Sequence, residues 1–293
     1  MSDLLKNAGP YTLTKPWYVD GTATDVGTVT IGIVDLAGST VIAAGTAATN
    51  NADGTYEFAL ASQTAVKVLT VTWTRSDTGA SLVDTIEVVG GRLITEAAIR
   101  GFDDDTLANA TKFDDDDLAE ERVRLTDWLE ANTGVSWVPR YRRLTLTGNA
   151  SDNLPLRGWV RSQGPSGGEG VPLHIQSVLS VSIDGIAVSV SDVEVNGSTL
   201  WRTDGGVFAW RRRPGNVIVE IEYGLPSLRN GVDRIAMLEI ADRLPASRRG
   251  RQTTSGTDDF GAFSWEAQNN GRPSRVPEVN AWLRTNDARV AIA

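Results

Sequence analysis

Cysteine is absent from this sequence of 293 residues, and histidine occurs once, as His174. Without cysteine the chain has no disulfide, no thiolate metal site and no thiol nucleophile. A zinc centre or a serine–histidine pair would have to use His174, which lies in a short apolar, strand-like run, Val171–Ile175. We therefore predict a structural role for His174. We predict no catalytic, cofactor-binding or metal-binding residue and no enzymatic activity.

Long apolar runs are also missing. No segment approaches the roughly 20 apolar residues that cross a bilayer, and Met1–Pro10 has no apolar core of signal-peptide length. We expect a chain that is made and kept in the cytoplasm, or is assembled into something there, with no membrane partner. The net charge of -9 argues against nucleic-acid binding over the whole surface. An acidic channel surface would still let DNA pass, because it would not bind the phosphates.

Short β-branched runs separated by Asn, Asp and Gly turns predict a small β-sandwich over residues 11–89. Tyr56 and Trp73 are its expected large core residues. The segment Asp53–Phe58 resembles the start of a strand in the immunoglobulin-like domains that are appended to phage structural proteins. At Gly90-Gly91 the composition shifts from Thr, Val and Gly to Asp, Leu, Ala and Arg. We therefore expect a domain boundary there.

Four consecutive carboxylates, Asp114–Asp117, precede an apolar stripe at helical spacing, and Gly134 follows as a stop. The stripe consists of Leu118, Leu125, Trp128 and Leu129. An Asp at this place caps free N–H groups, and each further acidic residue in the first turn gains about 0.3–1 kcal/mol from the helix dipole. We predict a helix with Asp114 as its N-cap. A metal-dependent nuclease site on Asp114–Asp117 stays open as an alternative.

A second helix is predicted just after a strand at Val217–Tyr223. There the period-two alternation gives way, across a Gly/Pro turn, to apolar residues at helical spacing over Val232–Leu244. Pro245 is expected to end this helix. Between the two helices, runs within residues 177–223 separated by Asp-Gly, Asn-Gly and Pro-Gly turns predict an antiparallel meander. A last short helix is predicted at Pro277–Arg284.

Two segments without periodicity are candidates for contacts with partners. The first is a basic turn that can contact phosphate or an acidic partner, and its residues are Arg211, Arg212 and Arg213. The second runs from residue 247 to residue 274, is polar and Gly-rich, and carries three large aromatic residues. These are Phe260, Phe263 and Trp265. Large aromatic residues in such a run indicate a segment that orders on a partner.

From about Leu93 to Thr285 the sequence resembles the head-to-tail adaptor (connector) proteins of long-tailed bacteriophages. Five segments carry this resemblance by their order and spacing: Phe113–Arg143, Ser177–Gly185, Val217–Gly224, Arg234–Arg243 and Val276–Leu283. The implied fold class is α+β. It comprises an immunoglobulin-like β-sandwich at residues 1–90, an α-helical adaptor domain with an inserted antiparallel β-meander at 91–246, and a C-terminal arm with a short helix at 247–293.

Adaptors of this kind form a homo-oligomeric ring, usually a dodecamer, beneath the portal protein of the capsid. The resemblance implies a structural virion protein of the portal vertex, at the head–tail interface, that is assembled in the host cytoplasm. Its ring would extend the DNA channel, through which DNA passes without sequence-specific binding, and would dock a stopper or tail-completion protein. Phe260, Phe263 and Trp265 would then contact portal, and Arg211–Arg213 would face the tail or the channel.

A carbohydrate- or surface-binding β-sandwich protein is a second alternative. It explains residues 11–89 and the nine tryptophans of the chain, but it does not explain the two predicted helices. The nuclease alternative predicts Mg²⁺-dependent cleavage of DNA that is lost in Asp116→Asn.

Overall fold

The computed structural model describes residues 2–102, 107–156, 174–209, 215–225, 231–248, 255–258, 261–264 and 273–286. Its strands are β1 (Ser2–Leu5), β2 (Tyr11–Pro16), β3 (Tyr18–Val19), β4 (Thr22–Ala23), β5 (Val29–Asp35), β6 (Thr40–Ala47), β7 (Thr49–Asn50), β8 (Thr55–Leu60), β9 (Lys67–Arg75), β10 (Ser81–Val89), β11 (Arg140–Leu146), β12 (Asn153–Pro155), β13 (Ile175–Ile183), β14 (Ile186–Val188), β15 (Val193–Asn196), β16 (Thr199–Arg202), β17 (Val217–Tyr223), β18 (Ser255–Asp258) and β19 (Gly261–Ser264). Its α-helices are α1 (Glu96–Arg100), α2 (Asp115–Thr133), α3 (Val232–Arg248) and α4 (Pro277–Asn286).

The chain divides into two compact units that do not follow the chain order. The first unit contains Met1–Arg92, Val138–Arg157 and Leu173–Pro226. The second contains Leu93–Trp137, Gly158–Pro172 and Ser227–Ala293. The first unit is built from strands and the second holds the four helices.

The N-terminal strands of the first unit form two main sheets that share one core. The larger sheet has the order β1-β10-β9-β5-β6, and the smaller has the order β2-β8-β7. Alternate residues of β5 and β9 are buried, as expected when one face of a strand meets a core. Tyr56 and Trp73 lie in this core with exposed fractions of 0% and 1%, so their predicted positions are confirmed.

A second set of strands completes the first unit. β11, β17, β13 and β14 form a four-stranded antiparallel sheet in that order, and β12, β16 and β15 form a three-stranded one. β17 is one of the two inner strands of the larger sheet, and its alternate residues Val217, Val219 and Ile221 are fully buried. The single meander that the turn pattern predicts is wrong, because its strands are divided between two sheets and β13 pairs with β17, which does not follow it in the sequence. We keep the name meander for this second set of strands.

Polar contacts tie this meander to the N-terminal sheets. They are the backbone bond from Gly90 N–H to the Pro139 carbonyl (2.7 Å), the ion pair of Arg140 Nη1 and Glu87 Oε2 (2.6 Å), and that of Lys6 Nζ and Glu222 Oε1 (2.6 Å). The Arg140 and Glu87 side chains are only 13% and 11% exposed. The two sets of strands therefore form one body, although about fifty residues separate them in the sequence.

The predicted fold class is wrong for the second part of the chain. Instead of an α-helical adaptor domain with an inserted meander, the described residues are mostly β, about 40% strand against 22% helix. The strands at residues 140–223 make sheets of their own and pack with the N-terminal strands. Hydrophobic periodicity predicts the type of each element, but it does not say with which elements that element packs. The predicted domain bounds stay a prediction.

The second unit is organised around α2, α3 and α4, which pack on one another. Asp114 is the N-cap of α2, where its Oδ1 accepts a hydrogen bond from the Asp117 N–H at 2.8 Å. Gly134 ends α2 with φ 69°, a left-handed conformation that glycine adopts at low cost. Buried apolar residues of the three helices include Leu118, Leu125, Leu129, Ile235, Ile240, Val279 and Leu283.

Two local predictions about the C-terminal third are wrong. Helix α3 does not end at Pro245 but continues to Arg248, although a proline removes one N–H of the helix and crowds the preceding turn. The polar run 247–274 is not wholly irregular, since β18 and β19 pair as an antiparallel hairpin. None of the described helices has the length and apolar character needed to span a membrane.

Candidate assembly surfaces

The predicted contact residues are described only in part. Arg211, Arg212, Arg213, Phe260 and Trp265 lie outside the described residues. The backbone of Phe263 lies in β19, where it is paired with Gly256 of β18. The assignment of these residues to portal, tail or channel contacts therefore stays a prediction.

The acidic run has a structural use at the start of α2. Beside the cap formed by Asp114, Asp115 Oδ1 accepts a hydrogen bond from Arg100 Nη2 at 2.5 Å, although the Asp115 side chain is 77% exposed. Within the described part of the chain, no three His, Asp or Glu side chains come together as a metal site would require. His174 is exposed at the start of β13, and its carbonyl accepts a hydrogen bond from the Gly224 N–H at 2.8 Å.

A charged cluster lies between α2 and α3. Arg243 of α3 donates through Nε to Glu239 Oε1 at 2.7 Å, and its Nη1 lies 3.8 Å from Glu121 Oε1 of α2. The same guanidinium lies 4.4 Å from the ring centroid of Trp128, within the range of a cation–π contact. One arginine thereby links two buried carboxylates and one aromatic ring. It fixes the pairing of the two helices.

Burial raises the pKa of Glu121, and the positive charges of Arg243 and Arg124 act in the opposite direction. Desolvation prevails because the Glu121 side chain is only 9% exposed, and its loss of hydration outweighs the attraction of the two arginines, which lie 3.6 and 3.8 Å away. The cluster is a structural joint of the helices.

The C-terminal helix is held against the same joint. The Ser274 hydroxyl donates to Glu239 Oε2, and the Asn280 side chain receives the Ser274 N–H at 3.1 Å and donates to the Ser274 carbonyl at 2.7 Å. The Trp137 and Trp282 rings pack with centroids 5.3 Å apart. These contacts hold the chain at Ser274, where the aromatic segment 247–274 ends.

A groove opens along the side of the N-terminal sheets. It has a volume of about 650 Å³ and lies between β2 and the first half of β10. Its apolar lining is contributed by Leu4, Leu13, Val71, Trp73, Val83 and Ile86. Lys15 Nζ and Asp84 Oδ1 form an ion pair of 2.7 Å across it. The sequence carries no signal for this groove, because it depends on which strands lie at the edges of the two sheets.

The tryptophans do not form a face on the N-terminal sheets. Trp17 and Trp73, the two tryptophans of this region, are buried with exposed fractions of 7% and 1%. Trp201 in β16 is exposed to 38% and stands in the meander. The carbohydrate-binding alternative, which expects a tryptophan-lined face on the sandwich, finds none in the described part of residues 1–90.

In comparison with known proteins, no family model and no curated protein matches the chain.

Proposed function

We propose that the protein is a structural head-to-tail adaptor, which assembles as a ring under the portal of a long-tailed phage. The observation that carries the proposal is the position of the five segments that resemble adaptors. Three of them supply the mutually packed helices α2, α3 and α4, and the other two supply the neighbouring strands β13 and β17. Segments that are distant in the sequence therefore come together in two compact groups of elements, as expected if they belong to one functional pattern.

The helical joint supports a role in assembly. A subunit of a ring needs a rigid core, because it contacts neighbouring subunits on both sides. The buried Glu121–Arg243–Glu239 cluster gives the three-helix unit such a defined geometry. The same joint anchors Ser274, so the aromatic segment 247–274 leaves from a rigid base. A rigid base lowers the entropic cost when a segment binds a partner.

The chain's charge supports a passive contact with DNA. The net charge of -9 disfavours phosphate binding over the surface, and a weak grip is what a conduit for DNA needs. The ring itself follows from one heterologous contact repeated until it closes.

The proposal is tested by electron microscopy of the full chain mixed with the portal protein of the same phage. We expect rings of about twelve copies, as the resemblance implies, seated on one end of the portal. In the variant Phe260→Ala/Phe263→Ala/Trp265→Ala we expect portal affinity to fall more than about tenfold, because buried aromatic anchors carry most of the binding energy. The matched control is Trp201→Ala, an exposed aromatic of the meander, which should bind as the unaltered chain does.

Two outcomes count against the proposal separately. If the unaltered chain forms no ring and does not bind portal, the adaptor function is wrong. If rings form and the triple variant binds portal with full affinity, the adaptor function stands and the aromatic segment is not the portal contact.

A further inference from the structure

Half of strand β10 has a free edge. On one side β10 pairs with β9 along its length, from Ser81 to Val88. On the other side β1 pairs only with Ile86–Val89. Among the described strands, none covers residues 81–85 on that side. The unpaired N–H and C=O groups of such an edge are a template for a further strand.

The free edge borders the groove described above. The opposite rim is β2, which is itself an edge strand because it pairs only with β8 among the described strands. Val83, at the centre of the free edge, is exposed to 60%. Edge strands in native proteins are commonly protected by charges, and here the Lys15–Asp84 pair protects one position only. The other residues of this edge, Ser81–Val83 and Thr85, carry no charge.

The direction of β1 defines how a strand would be added. β1 runs parallel to β10, with Ser2 opposite Ile86. A strand in line with β1 would therefore lie opposite residues 81–85 and extend the existing sheet, and it would have to open the Lys15–Asp84 ion pair that spans the groove. Five residues at about 3.3 Å each give a site roughly 17 Å long.

The sequence contains a segment that suits this site. Seven residues, Asp287–Ala293, follow α4, and Val290 and Ile292 alternate with Arg289 and Ala291. In an extended conformation Val290 and Ile292 share one face, which suits an apolar groove, and Arg289 lies on the other. Seven extended residues span about 23 Å, enough for the whole free edge.

We propose that Asp287–Ala293 of a second copy of the chain adds as a strand to residues 81–85 of β10, with Val290 and Ile292 in the groove. This proposal rests on the proposed function in one respect: the ring places a second copy of the chain beside the first. In a closed ring each copy donates one segment and receives one, so a weak single contact is strengthened by its repetition.

The absence of cysteine gives a clean test by disulfide cross-linking of full-length chains. One chain carries Val83→Cys and the other carries Ala291→Cys, since neighbouring strands bring such positions within the Cβ separation of a disulfide. After mild oxidation, we expect a bond between these two cysteines, identified by mass spectrometry of the linked peptides. The matched control replaces Val83→Cys by Ser39→Cys, which is exposed in the turn between β5 and β6 and should give no bond above background.

A second pair of variants tests the mode of insertion. Val290→Asp/Ile292→Asp in the donor chain should lower the yield of the cross-link at least tenfold, whereas Arg289→Ala should leave it unchanged. The proposal is overturned if the Ser39 control links equally well, or if a chain carrying both Val83→Cys and Ala291→Cys forms the bond only within itself. Rings on portal without the cross-link would refute this contact alone, and the cross-link without rings would refute the adaptor function alone.

Discussion

The ion pair of Glu87 and Arg140 should be a main link between the N-terminal sheets and the meander. Its atoms lie 2.6 Å apart, and both side chains are nearly buried, with 11% and 13% exposure. At an effective dielectric constant of about 20, this distance corresponds to a gross attraction of roughly 6 kcal/mol, much of which desolvation offsets. Removing one partner leaves the other charge buried, so Arg140→Met or Glu87→Leu alone should each cost about 3 kcal/mol.

The double variant Glu87→Leu/Arg140→Met removes both charges and should cost no more than about 2 kcal/mol, because an apolar pair can replace a buried ion pair. The assay is urea unfolding of the four proteins, and the double-mutant cycle should give a coupling energy of roughly 4 kcal/mol.

The control for this cycle is the pair Arg124–Glu120, which has the same 2.6 Å separation but is 61% exposed on both sides. Its coupling energy should not exceed about 0.5 kcal/mol. If the Glu87–Arg140 coupling is as small as that of the control, burial does not strengthen this link, and the two sets of strands are held together by other contacts.

Two further predictions concern a turn and a carboxylate. Gly54→Ala should lower the free energy of unfolding by about 3 kcal/mol or more, because φ of Gly54 is +86° and a Cβ there would lie 2.4 Å from Thr24 N. The control is Gly38→Ala, which has φ +90° and open space around it and should cost only about 1 kcal/mol. Equal urea midpoints for the two variants would contradict this prediction. Because burial raises the pKa of Glu121, the unaltered chain should lose stability relative to Glu121→Gln as the pH rises from about 4 through that pKa; urea midpoints between pH 4 and 8 that change in the opposite direction would show that the Arg243 charge prevails.

Much of the local structure follows from the sequence because its causes are local. The cap at Asp114 depends on an oxygen three residues from a free N–H, and the left-handed end at Gly134 depends on the missing Cβ. Burial of Tyr56 and Trp73 follows from alternation along single strands. Even so, Pro245 does not mark the end of α3, which continues to Arg248.

The candidate surfaces could not be predicted in the same way. The groove exists because β1 covers only Ile86–Val89 of β10, a fact of strand pairing that no residue pattern encodes. The joint at Arg243 brings together Glu121 and Ser274, residues more than 150 positions apart in the sequence. The predicted contact residues Arg211–Arg213 and Phe260, by contrast, came from composition alone and stay a prediction.

The sequence by itself determined the start and the end of α2 and the apolar faces of β5, β9 and β17, because capping and side-chain periodicity act over a few residues. Only the tertiary structure decided that β11, β13 and β17 join the N-terminal sheets in one unit instead of belonging to a helical domain. The apolar faces of several elements are interchangeable as partners, and the choice among them depends on the packing of the whole chain.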